Sequence, residues 1–133
     1  MDKCRPVNAA SLPEDRHSLT ELRRGVITLA VLLRLRVETH GYAVRQALAD
    51  FGLPLKEGTL YPLLKRLEEQ GVIAGRLDHS GERPRRCYVL TPPGRSFLAS
   101  LHAQWEQLTA VLEAIDRDAV YRPGRVPRLD AVS

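Results

Sequence analysis

Apolar residues recur with helical spacing in four stretches of this chain and alternate in one. From Leu19 to Val37, the positions Leu19, Leu22, Val26, Leu29 and Leu33 follow a three–four rhythm, and Ile27, Ala30, Val31 and Leu35 add a second apolar surface. That spacing is the period of an α-helix, and a helix apolar on two sides must be covered on two sides. In so short a chain one cover is the domain's own core, and the other is expected to be a second subunit. His40, Gly41 and Tyr42 interrupt this helix. A shorter one is predicted to follow to Phe51, with Val44, Ala47, Leu48 and Phe51 on one face and Gly52 as its left-handed cap. After the turn at Leu53, Pro54 and Leu55, a third helix is predicted over 57–70, with Leu60, Leu63, Leu64 and Leu67 inward and Gly71 ending it. Pro62 is placed near its start, where the first backbone donors lack intrahelical partners in any case.

The pattern then changes. Residues 72–78 read as a strand, 79–82 as a turn and 85–90 as a return strand, together a hairpin. Thr91 suits a helix N-cap, with Pro92 in the favoured first helical position. In the last helix, over 92–117, Leu98, Leu101, Trp105, Leu108, Leu112 and Ile115 are spaced 3-4-3-4-3. These are the a and d positions of three heptads, a seam made for another helix. Residues 1–17, with Pro6 and Pro13, and 118–133, with Pro123 and Pro127, show no periodicity and read as a flexible arm and a disordered tail. The resulting fold class is mainly α with a small β-hairpin: a winged helix-turn-helix over 18–90 and a long C-terminal dimerisation helix over 91–117.

Charge adds a direction to this picture. The 133 residues carry a formal net charge of +4, which suits a polyanionic partner without specifying a fold. Within 72–90, Arg76, Arg83, Arg85 and Arg86 outweigh Asp78 and Glu82; within 91–117, Glu106, Glu113 and Asp116 outweigh Arg95 and Arg117. The positive charge therefore gathers on the hairpin. An α-helix fits the major groove of DNA, and a basic hairpin tip can reach the neighbouring phosphates or the minor groove. The third helix is the candidate recognition helix, because its inward leucines leave Thr59, Tyr61, Pro62, Lys65, Arg66 and Glu69 facing out. Lys65 and Arg66 suit phosphate or guanine, and Thr59 and Tyr61 suit phosphate or a thymine methyl. Arg83, Arg85 and Arg86 put three positive charges in four positions, each phosphate neutralised steepening the salt dependence by about 0.9 in log–log slope. Tyr42 suits either packing at the helix junction or a phosphate contact.

The residues also carry a resemblance. The run from Leu22 to Gly25, then His40-Gly41-Tyr42, then the run from Glu57 through Gly58-Thr59-Leu60-Tyr61-Pro62-Leu63-Leu64 to Glu68 resemble the PadR family of bacterial regulators. So do Gly71-Val72-Ile73, the run from Arg85 to Thr91, Gly94 and Trp105, over about residues 20–116. The single last helix is similar to the short subgroup of that family. The resemblance implies a homodimer in which the last helix packs on the partner's first and last helices, drawing in Leu22, Val26 and Leu29 with Leu98, Leu101, Trp105, Leu108, Leu112 and Ile115. It further implies binding to double-stranded DNA at a palindromic promoter site, usually as a repressor. For some members it implies release by a small aromatic or drug-like effector at the dimer interface, where Trp105 and Leu101 would line the pocket. Cys87, and Pro92 with Pro93, depart from the common family pattern; the prolines would shift the start of the last helix.

Other functions fare less well. There is no nucleophilic triad, P-loop, dinucleotide fingerprint or paired-carboxylate cleft, so the chain is not expected to be an enzyme. His17, His40, His79 and His102, with Cys4 and Cys87, form no i,i+4 pair or CxxC, so neither a metal site nor a cofactor is expected. Cys4 and Cys87 read as free thiols of a cytoplasmic protein, with redox sensing the lesser alternative for Cys87, whose pKa Arg85 and Arg86 would lower. The longest apolar-rich run, Val26 to Leu33, falls far short of the roughly 20 residues a membrane span needs, and the first residues lack a signal-peptide stretch. A protein- or RNA-binding winged module is the rival class, and it has no need of the wing arginines or the outward Lys65 and Arg66.

Overall fold

The computed structural model describes residues 16–118 and 120–124. The helical periodicity is realised in α1 (Arg16–Arg34), α2 (Gly41–Asp50), α3 (Glu57–Glu69) and α4 (Pro92–Arg117), with strands β1 (Thr39–His40), β2 (Ile73–Asp78) and β3 (Arg85–Leu90). Residues 1–15 of the expected arm, with 119 and 125–133 of the expected tail, lie outside the described residues.

The leucines predicted to face inward do so. Val44, Leu48, Leu60, Leu63, Leu64 and Leu67 are all buried, and they meet Val31, Leu32 and Leu35 from the second half of α1. Ile73, Tyr88, Leu90 and Leu98 close this core from the sheet and from the start of α4. Both predicted glycine stops form the same cap. Gly52 (φ +100°) lets Leu53 N–H donate to Leu48 C=O at 2.8 Å, and Gly71 (φ +76°) lets Val72 N–H donate to Leu67 C=O at 3.0 Å. These six-to-one bonds satisfy carbonyls that a helix end leaves open.

Four local expectations are corrected. α1 starts at Arg16 and ends at Arg34, so Arg16 and His17 belong to a helix rather than the arm. Where only a break was expected, Thr39 and His40 form a third strand, giving an antiparallel sheet of order β1-β3-β2. Two residues are too few for alternation to be read from sequence. Phe51 is 84% exposed, because it is the C-cap of α2, beyond the last turn whose inner face reaches the core. Pro62 is the sixth residue of α3, past the positions whose donors lack partners, so it removes one helical bond and leaves Gly58 C=O without an amide at i+4.

Thr91 fastens α4 to the sheet. Its hydroxyl oxygen accepts from Gly94 N–H at 3.0 Å and its O–H donates to Gly71 C=O at 2.6 Å, while Leu90 N–H donates to Leu35 C=O at 2.9 Å. The first turn of α4 approaches so closely that a Cβ on Gly94 would lie 1.8 Å from Val72 O. Beyond Leu101, which packs on the edge of the core, one face of the helix turns outward. Trp105, Leu108, Leu112 and Ile115 are 44–66% exposed, and they form an apolar stripe along the helix.

Candidate nucleic-acid interface

The core leucines of α3 fix which side of that helix faces out, and Thr59, Tyr61, Pro62, Lys65 and Arg66 are all exposed there. Lys65 and Arg66 have no ion-pair partner among the described residues, so both charges are free for an incoming anion. Tyr61 is held by the edge of its ring near the hydroxyl end. Its ring lies against Gly41 at the buried start of α2, where a Cβ would meet Tyr61 Cε1 at 3.0 Å. Tyr42, the next residue, is 61% exposed and lines a shallow groove with Arg45, Gln46 and Pro54.

Arg45 was not legible as part of this face. Its Nε donates to Leu55 C=O at 2.8 Å and its Nη1 reaches Glu57 Oε1 at 3.3 Å, bracing the turn that sets α3 against α2. A lone arginine on an amphipathic helix gives no sign of such a partner ten residues on.

The wing arginines divide. Arg83 and Arg85 are exposed and have no ion-pair partner among the described residues. Arg86 lies on the opposite face of β3 from Arg85, as strand alternation requires. Its guanidinium donates to Glu68 of α3 at 2.5 Å and sits 5.9 Å from the Tyr88 ring centroid. The Glu68 hydrogen bond raises its pKa. Arg86 is thus a strut between wing and recognition helix, not the third free cation of the tip.

The other face of the sheet holds polar groups drawn from all three strands. His40 and Arg76 flank Cys87 in cross-strand register, and Asp78 stands on the diagonal. His40 Nε2 lies 2.9 Å from Asp78 Oδ2, Arg76 pairs with Glu38, and Asp78 Oδ1 accepts from Ser80 N–H at 3.0 Å. The Ser80 bonds, with His40 beside them, hold the Asp78 carboxyl well below the usual carboxylate range. The alternative of an activated Cys87 is not met: burial pushes its thiol up, and Asp78 adds a negative charge alongside, while Arg86 is on the far face. Among the described residues His40, Asp78 and Cys87 form a group whose donor atoms all lie within 4.8 Å of one another. Sequence spacing showed no such set, because its members meet only through strand pairing.

Of the expected dimer positions, Leu29 and Leu98 are buried in the chain's own core, Val26 and Leu101 are half-buried, and Leu22, Trp105, Leu108, Leu112 and Ile115 are exposed. A groove of about 480 Å³ runs beside α4, lined by Leu33, Arg36, Leu90, Arg95, Leu98 and others; Trp105 and Leu101 do not line it. No helix among the described residues is long and apolar enough to cross a membrane.

This arrangement has close counterparts. The model of the transcriptional regulator PadR-like family matches residues 29–100. The chain belongs to the PadR family. Transcriptional regulator Rv3488 of Mycobacterium tuberculosis is 34% identical over 91 residues, 68% of this chain and 85% of its own. A PadR family transcriptional regulator from Eggerthella lenta is 40% identical, with a TM-score of 0.71 over 76% of this chain and 90% of that one. A Streptococcus transcriptional regulator is 31% identical, with a TM-score of 0.67 over 74% of this chain and 99% of that one. This PadR-family protein is therefore a DNA-binding transcriptional regulator with the winged helix-turn-helix fold, and its family is one of regulators rather than enzymes.

Proposed function

We propose that this regulator works in the cytoplasm as a homodimeric repressor at a palindromic promoter site, and that a small aromatic or drug-like compound at the dimer seam releases it. The observation that carries the dimer is the exposed stripe of Trp105, Leu108, Leu112 and Ile115 on α4; Leu19 and Leu22 of α1 are exposed as well. A contiguous apolar surface at heptad spacing is costly to leave in water and is relieved by a second copy. A two-fold dimer presents two α3 helices, so its site repeats with inverted symmetry at about one helical turn. In each protomer α3 offers Lys65 and Arg66 with Thr59, Tyr61 and Pro62, and the wing offers Arg83 and Arg85. Trp105, half out of the fold beside Leu101, supplies the aromatic surface on which an effector would stack.

A gel-shift titration against the regulator's own upstream promoter tests the reading. The expected result is a shift that weakens steeply with salt, needs both half-sites, and disappears on adding an effector that quenches Trp105 fluorescence. The absence of any salt-sensitive shift there would favour a winged module that binds protein instead.

A further inference from the structure

We propose that His40, Asp78 and Cys87 form a binding site for a thiophilic divalent cation of the zinc class, with water completing the coordination. The three donors come from three strands and converge. His40 Nε2 lies 2.9 Å and Cys87 Sγ 3.9 Å from the same carboxylate oxygen, Asp78 Oδ2. A tetrahedral zinc with bonds of about 2.0–2.3 Å holds its ligand atoms about 3.3–3.8 Å apart. With every donor pair here within 4.8 Å, small side-chain rotations bring the set onto a cation.

The chemistry of the donors selects the class. A thiolate and an imidazole prefer zinc and its softer neighbours to magnesium or calcium, and one carboxylate with one thiolate balances a divalent charge. Cys87 is buried, while the His40 and Asp78 side chains keep 23% and 18% exposure, so the site has an anchor inside and an entrance from solvent. Binding breaks the S–H bond and the thiol proton leaves to solvent. The Nε2 proton that His40 shares with Asp78 also leaves to solvent, and the ring keeps or takes up a proton on Nδ1. The freed Nε2 lone pair and the Asp78 carboxylate then exchange their mutual contact for the metal. No redox change is involved. Because His40 immediately precedes α2 and the other two donors lie on the wing strands, the bound cation ties the wing to the start of the helix-turn-helix.

Cobalt(II) is the probe, titrated into the reduced, metal-free full chain in a Cys4→Ser background, without DNA. The expected result is a thiolate-to-cobalt charge-transfer band that saturates at one equivalent per chain and is displaced by zinc. Cys87→Ser removes the band, while Asp78→Asn and His40→Gln weaken cobalt binding by more than about tenfold, the loss that even an outer partner of a metal ligand produces. No band in the Cys4→Ser parent, or an unchanged band in Cys87→Ser, overturns the site. Should Cys87→Ser fail to fold, unchanged cobalt affinity in both other variants overturns it equally.

Discussion

At Gly58 a Cβ would meet nothing within 4 Å, whereas at Gly94 it would lie 1.8 Å from the Val72 carbonyl oxygen. Gly94 is needed by the fold, since the atom it would strike is backbone and cannot rotate away. Gly94→Ala is expected to cost at least the about 1–3 kcal/mol typical of overpacking, read as a lowered urea midpoint with unchanged m-value. Gly58 is helical and exposed at the start of α3, where alanine suits the backbone better by about 0.5–1 kcal/mol. Nothing among the described residues asks for glycine there; on the proposed DNA-binding reading, it is a place where DNA backbone would come too close for a methyl group. Gly58→Ala should therefore raise the unfolding midpoint while weakening operator binding. A variant that gains stability and keeps full affinity would remove the start of α3 from the interface.

Between elements, the division of the wing arginines changes what their removal should do. Losing Lys65 and Arg66 together should lower the log–log salt slope of operator binding by about 2, and losing Arg85 should lower it by about 1. Arg86→Ala should leave the slope almost unchanged, because that charge is already neutralised by Glu68. Instead it should loosen the hairpin from α3, seen as faster amide exchange across β2 and β3; an Arg86→Ala slope that falls by a full unit would return Arg86 to the phosphates. The contrast marks the limit of what the residues reveal in order. Periodicity fixes which face of a helix turns inward, so the leucines of α2 and α3 and the caps at Gly52 and Gly71 were legible. It does not name partners across the fold. The Arg86–Glu68 strut, the Arg45 brace and the His40–Asp78–Cys87 cluster join residues 9 to 47 positions apart, and β1 is too short to have a pattern. Leu29 and Leu98 show the same limit from the other side: their heptad spacing is real, but the protomer's own core takes them first.

Across the whole molecule, the 26 residues of α4 divide into two parts. Its first turns, through Gly94, Leu98 and Leu101, pack on the sheet and the core; from Trp105 onward it carries an exposed apolar stripe. On the proposed dimeric reading, that geometry makes the second half a handle by which a partner copy would be joined without disturbing the winged domain. It would also make the proposed dimer separable by mutation. Leu108 is 56% exposed and outside the core cluster, so Leu108→Glu removes nothing the protomer uses. In a dimer the same change would bury an unpaired carboxylate against its symmetry copy, a strongly unfavourable arrangement. Light scattering should then report the monomer mass, circular dichroism an intact helical fold, and the operator titration a loss of affinity, because two coupled half-site contacts become two weak ones. Trp105 emission should shift to longer wavelength as the ring is released to water. If Leu108→Glu stays dimeric with Trp105 emission unmoved, the seam is not on α4, and the effector site placed at Trp105 goes with it.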